Sequence, residues 1–244
     1  MKKSPLEILE IYRERINTQL ELHLSSNFIE DSSKSGLASI MKYSVLAGGK
    51  RFRPILTYTI ASLFGIKLEK VDKSACAIEL IHIYSLIHDD LPAMDDDDIR
   101  HNQPSSHKVF GEAQAILAGD ALQALAFKVI SSDELLDSDV KVSLLNLLAK
   151  SSYEMADGQS IDLSIISKEV DILLLNNMHK KKTGALINCA VNFGVLLNPN
   201  IRQEDSIILS NFASKIGLAY QVPVSYTHLR AHETRGNLGC RRLL

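Results

Sequence analysis

The sequence predicts an all-α protein, and three observations carry that reading. Apolar residues recur at three- and four-residue spacing through most of the chain. No run alternates in the strand manner between hairpin turns. No segment repeats at a fixed period, which sets solenoids and propellers aside. A chain of 244 residues with 45% hydrophobic content is long enough to bury one sizeable core, so one domain of long, largely buried helices is expected.

The elements follow in order. Leu6, Leu9, Ile16, Leu20 and Leu24 give Pro5–Leu24 an apolar stripe, with Ser4 placed to cap it and Pro5 at its first position. A polar loop, Ile29–Gly36, leads to a helix over Leu37–Leu46 that Gly48-Gly49 ends. Pro54 opens a helix over Ile55–Phe64, closed by Gly65. Asp72 or Ser74 is placed to cap the next helix, which runs through Ile78, Leu80, Ile81, Ile83, Leu86 and Ile87 until Pro92 bends or ends it. Further helices are expected over Val109–Ile130, Asp139–Gln159, Lys168–Leu197 and Glu204–Tyr220.

A formal net charge of −2 provides no global field for nucleic acid or an anionic membrane. The N-terminal MKKSPLEILEIYRER turns polar too soon for a signal peptide. No membrane span is expected, because the best apolar run, Ala185–Leu197, is interrupted by Asn188, Asn192 and Gly194. Cys76, Cys189 and Cys240 are odd in number and lack C-x-x-C spacing, which fits a reducing cytoplasm rather than a disulfide frame or a zinc site. After Val222 the character changes: Arg230, Arg235, Arg241 and Arg242 oppose only Glu233, with no sustained apolar face. Residues 1–222 therefore read as the domain, and 223–244 as a tail foreign to it, from a frameshift or adapter sequence.

The chemistry concentrates in His82–His107, where a buried-looking helix runs into six aspartates, Asp89, Asp90 and Asp95–Asp98, followed by Arg100. That much like charge at the end of an apolar helix is costly without a cation. Carboxylate oxygens suit a hard divalent ion, and Mg2+ commonly combines one or two of them with substrate phosphates. On a helix held through Asp89, His82, Ser85 and Asp89 share one face, and Asp89 and Asp95 flank the bend at Pro92. EF-hand spacing is absent. Gly48-Gly49-Lys50-Arg51-Phe52-Arg53-Pro54 joins a free backbone, three cations and a helix start, a combination that suits an anionic diphosphate. It lacks the Walker A pattern. Asp120, Gln159, Asp162 and Lys181-Lys182-Thr183-Gly184 are weaker signals, each equally at home as an internal hydrogen bond, a cap or a solvated turn. His82, His88 and His107 form no zinc pattern.

IHDDLPAMDDDDIR resembles the first aspartate-rich motif of the trans-prenyltransferases, of the bacterial farnesyl diphosphate synthase type. GGKRFRP, ILAGDALQALAF, GQSIDL, KKTGAL and GLAYQ fall in that family's order, so the similarity covers roughly Leu6–Val222. The resemblance implies an isoprenoid synthase helical bundle around a deep apolar cavity, in a cytoplasmic homodimer. It implies that Lys50, Arg53 and His82 bind isopentenyl diphosphate. It also implies that Asp89 and Asp95 hold Mg2+, or Mn2+ in its place, on the allylic diphosphate, supported by Asp90 and Asp96. Arg100, Lys182, Thr183 and Gln221 would line the allylic site, with Asp89, Asp90, Asp95, Arg100 and Lys182 as the catalytic set. His101 stands where the family usually has a second arginine, so isopentenyl diphosphate binding is expected to be weaker. Tyr84 lies five residues before Asp89, about 7.5 Å down the helix. With Ser85 it resembles the floor that stops products at C15.

After Gln221-Val222 no aspartate follows, whereas the family continues into a second aspartate-rich motif. The 244-residue chain is therefore expected to have little or no activity. Two further readings stay open at this point: another short-chain synthase such as a geranylgeranyl diphosphate synthase, and a non-catalytic subunit that binds a prenyltransferase. A terpene cyclase would not need the GGKRFRP cradle.

Overall fold

The computed structural model describes residues 4–26, 36–166, 171–198, 200–217 and 219. Helix α1 (Pro5–Ser26) begins at a capping box: the Glu7 N–H donates to Ser4 Oγ at 3.3 Å, and the Ser4 N–H donates to the Glu7 carboxylate at 2.6 Å. Its buried stripe is Tyr12, Ile16, Leu20 and Leu24, while Leu6 at the start of the helix is 78% exposed. Helix α2 (Leu37–Val45) ends ahead of Gly48 and Gly49, whose φ angles of 101° and 114° turn the chain sharply. Helix α3 (Phe52–Leu63) starts three residues earlier than expected. Pro54 is tolerated there because the first N–H groups of a helix have no intrahelical acceptor.

Helix α4 (Asp72–Asp89) is the central element, buried on almost every face and packed against α3 and α1. Neither Asp72 nor Ser74 caps it. Asp72 instead accepts from Arg15 and from the Tyr58 hydroxyl, each at 2.7 Å, so a residue placed to cap serves as a buried tie between helices. Beyond α4 the chain reverses around Pro92, and the Asp95 N–H donates to the Asp89 carbonyl at 2.8 Å. Two strands too short to show a pattern then pair antiparallel, β1 (Ile99–Arg100) with β2 (Gln103–Pro104), through a turn in which His101 and Asn102 have φ of 51° and 64°.

The helix expected over Val109–Ile130 is two, α5 (Ser106–Phe110) and α6 (Glu112–Ser131), split by Gly111 at φ 87°. Helix α6 is long and apolar enough to cross a membrane by length and composition, contrary to the expectation that no run qualifies. In the bundle its Ala115, Ala118, Leu122 and Leu125 are buried, and α4 and α2 pack against it. Helix α7 is Ser138–Ser164. The helix expected over Lys168–Leu197 is resolved among the described residues into α8 (Ile172–His179), a π-helical turn (Lys180–Gly184) and α9 (Ala185–Leu196). Residues 203–217 are again helical. Gln221, Cys240 and the expected boundary at 222–223 lie outside the described residues. Cys76 and Cys189 are buried free thiols.

Candidate active site

Two cavities lie along the C-terminal half of α4. One, of about 410 Å3, is lined by Gly49 and Lys50 from the glycine turn, Arg53 from α3, and His82, His101 and Asn102. The other, of about 380 Å3, is lined by Tyr84, Ser85 and Asp89 from α4, Met155 and Gln159 from α7, and Lys182 and Thr183 from the π turn. Arg53 and His82 line both. Lys50, Arg53, His82, Tyr84, Ser85, Asp89, His101, Lys182 and Thr183 are therefore brought to this double cavity from distant parts of the chain.

The acidic end is short of positive charge. Burial, with Asp95 and Asp90 nearby, pushes the Asp89 carboxyl up to about 7, against the opposing pull of Lys182 and Arg100. Oxygen-only donors in that condition fit a hard divalent ion. Asp90 points elsewhere. It is buried against the Arg100 guanidinium, which bridges it to Asp97 (3.1 Å), and its carboxyl is raised by burial while Arg100 opposes the rise. Arg100 does not line the Asp89 cavity; it lines a water-sized pocket with Asp90 and His101. Asp96 converges with Asp98 and His107 rather than completing a trio with Asp89 and Asp95 among the described residues.

The basic end separates cations that the sequence groups together. Arg51, with φ 50°, turns inward and is 2% exposed. It donates to Glu79 (2.9 Å), Asn17 (2.9 Å) and the Val45 carbonyl (2.6 Å), so it braces the glycine turn from within the cavity wall that it and Glu79 help to line. Lys50 and Arg53 keep their places on the cavity. Burial, then Arg53 and His101, hold His82 well below the ordinary imidazole range, and burial with Arg100 and Arg51 lowers His101. Both rings are thus expected neutral until an anion arrives.

Close packing presents the π turn. A Cβ on Gly158 would fall 2.2 Å from the Lys182 backbone nitrogen, so only glycine lets α7 meet that turn. Lys182 Nζ lies 2.6 Å from Asp162, and Lys181 pairs with Asp157. Tyr84, 9% exposed, meets His88 edge-on with ring centroids 5.6 Å apart. His88 in turn sits over Gly119, where a Cβ would come within 2.2 Å of Nε2. Asp120 is exposed and lies 3.9 Å from His88, so its partner is weak. Sequence reasoning missed the weight of Gln159: its side chain is buried at the cavity, and neither amide atom has a hydrogen-bond partner among the described residues. GQSIDL marked the position, but no pattern reveals an unsatisfied amide.

Known proteins resemble this chain over most of its length. The polyprenyl synthetase family model matches residues 34–227. Farnesyl diphosphate synthase of Escherichia coli is 47% identical over 187 residues, 75% of this chain and 62% of that enzyme. That of Haemophilus influenzae is 42% identical over 221 residues, 88% of this chain and 73% of that enzyme. A geranylgeranyl diphosphate synthase of Cyanophora paradoxa is 43% identical over 186 residues. The chain thus spans less than two thirds of the Escherichia coli relative. Among solved structures, a geranyltransferase from Legionella pneumophila superposes with a TM-score of 0.86 at 37% identity, covering 92% of this chain and 80% of that one. An FPP/GFPP synthase from Zymomonas mobilis gives 0.85 at 35%, covering 91% and 81%. With both sequence and fold in agreement, the chain belongs to the polyprenyl synthetase family.

Proposed function

We propose that the protein is a prenyltransferase that condenses isopentenyl diphosphate with an allylic diphosphate to give farnesyl diphosphate. The observation that carries this reading is the double cavity: a basic chamber and an acid-rimmed, partly apolar one share Arg53 and His82. Lys50 and Arg53 would bind isopentenyl diphosphate, Lys50 as a point charge and Arg53 through its fork. An incoming diphosphate would raise His82 and let it donate a charge-assisted hydrogen bond. Asp89 and Asp95 would hold Mg2+, or Mn2+ in its place, whose charge would neutralise the departing allylic diphosphate. Lys182 would leave Asp162 for the same diphosphate, and Thr183 would donate its hydroxyl. Tyr84, Ser85, Met155 and Leu163 would keep water from the allylic cation, with Tyr84 as the floor. Asp90 and Arg100 would position the rim, one step removed from substrate.

A cytoplasmic homodimer belongs to the same reading, supported by the exposed apolar residues Ile116 and Leu117 on α6 and Val142 and Tyr153 on α7. Binding of an unreactive geranyl diphosphate analogue, measured calorimetrically with and without Mg2+, tests the site. Mg2+-dependent binding lost in Asp89→Asn is expected, alongside isopentenyl diphosphate binding weakened by Lys50→Ala. Binding that ignores both substitutions would overturn the assignment. Product length is read in an intact homologue, where a C15 product is expected and the substitution matching Tyr84→Ala is expected to lengthen it.

A further inference from the structure

The acidic run holds more carboxylates than a clamp at Asp89 and Asp95 uses, and the surplus meets a histidine. Asp96, Asp98 and His107 each offer a ligand atom within 4.8 Å of the other two. Asp96 and Asp98 are exposed, whereas His107, the second residue of α5, is only 7% exposed. Neither ring nitrogen of His107 has a hydrogen-bond partner among the described residues. A buried imidazole without partners is unfavourable, and here the ring reaches toward two carboxylates. Short bonds fix the backbone around it. The Ser105 N–H donates to the Asp98 carbonyl at 2.9 Å, and the Ser105 hydroxyl donates to the Asp97 carbonyl at 2.5 Å.

We propose that Asp96, Asp98 and His107 form a second divalent-cation site, separate from Asp89 and Asp95, for a borderline transition ion of which Zn2+ is the type. Mg2+ takes oxygen donors, whereas one imidazole nitrogen with two carboxylates suits a zinc-class ion. Bonds of about 2.0–2.2 Å in tetrahedral geometry place two ligand atoms about 3.4 Å apart. The three side chains must therefore close by roughly 1.4 Å from their present 4.8 Å limit, a movement open to the two exposed aspartates. Lys108, now 2.7 Å from Asp98 and itself 44% exposed, would swing into solvent as the ion replaces its charge. The site ties the loop that carries Asp95 to the start of α5, so the ion acts as a structural pin on the rim of the cavity. This inference stands on the cluster itself and does not require the proposed reaction.

The test uses the whole chain, free of any histidine tag, with Zn2+ alone and Co2+ as its spectroscopic stand-in. One equivalent of Zn2+ is expected to bind and to raise the melting temperature. The Asp89→Asn/Asp95→Asn double variant is expected to keep both effects, because it leaves the second site whole. Asp98→Asn and His107→Asn are expected to weaken binding roughly tenfold or more. If His107→Asn fails to fold, the exposed Asp98→Asn decides alone. Zn2+ binding unchanged in Asp98→Asn, or lost with Asp89 and Asp95, would overturn the proposal. So would a thiolate charge-transfer band in the Co2+ complex, which would assign the ion to a cysteine.

Discussion

Replacing Arg51 separates a brace from a ligand, although it stands next to Lys50 in the same basic run. Its guanidinium is 2% exposed and donates to Glu79, Asn17 and the Val45 carbonyl, tying the glycine turn to α1, α2 and α4 at once. Arg51→Ala leaves Glu79 buried and unpaired, and its second oxygen already lacks a partner among the described residues. Removing one member of a buried ion pair costs about 3–5 kcal/mol. At about 2–4 °C per kcal/mol for a chain of this size, the melting temperature should fall by about 6–20 °C. Lys50→Ala, on the cavity wall, should stay within about 0.5 kcal/mol of the parent. The double substitution Arg51→Met/Glu79→Leu should recover much of the loss, because it removes both charges from the interior. Calorimetric melting of the four proteins, beside their affinity for isopentenyl diphosphate, makes the comparison. If Arg51→Ala melted with the parent yet lost affinity as Lys50→Ala does, Arg51 would be a ligand and the bracing argument would fail.

Other outcomes follow from the same geometry. Gly158→Ala would drive a Cβ to within 2.2 Å of the Lys182 backbone nitrogen, so α7 and the π turn must part. A loss of about 1–3 kcal/mol is expected by thermal melting, with weaker diphosphate binding through the displaced Lys182 and Thr183. His101→Arg restores a full charge beside Lys50 and should tighten isopentenyl diphosphate by roughly ten- to a hundredfold, since a charge-assisted hydrogen bond contributes about 1.5–3 kcal/mol. Unchanged or weaker calorimetric affinity would count against the cavity assignment. His82 is held below the ordinary imidazole value of 6.5 by burial and by the facing Arg53, His101, Arg51 and Arg100. Its contribution to stability is complete above that value and is lost as pH falls toward the depressed folded one. Melting temperatures between about pH 7.5 and 5.5 should therefore fall less steeply in His82→Asn than in the parent, and inorganic diphosphate should bind with proton uptake.

Much of the molecule is legible along the chain. Helix positions follow from the three- and four-residue spacing of apolar side chains, and the Ser4–Glu7 cap and the break at Gly48-Gly49 follow from local chemistry. The acidic run, the basic run and the small order-preserving motifs mark both walls of the site for the same reason: each is contiguous. Boundaries fail where a single backbone angle decides them, as at Gly111, or where an extra residue is wound into a turn, as at Lys180–Gly184.

What lay beyond the sequence is the fate of each charge within a run. Arg51 and Lys50 are neighbours with different partners: both line the basic cavity, but Arg51 is folded against Glu79 within its wall. Asp89, Asp90 and Asp96 are equivalent letters, yet the first lines the cavity, the second is held by Arg100, and the third meets Asp98 and His107. Asp72, placed to cap α4, is bound instead by Arg15 and Tyr58. Periodicity and capping act over a few residues, so the sequence alone determined the helices and the composition of both walls. A buried charge must find its partner wherever the packed bundle brings one, and Arg51 is 28 residues from Glu79. That choice belongs to the tertiary structure, because burial without a partner is too unfavourable to persist and no local pattern records which partner will be near.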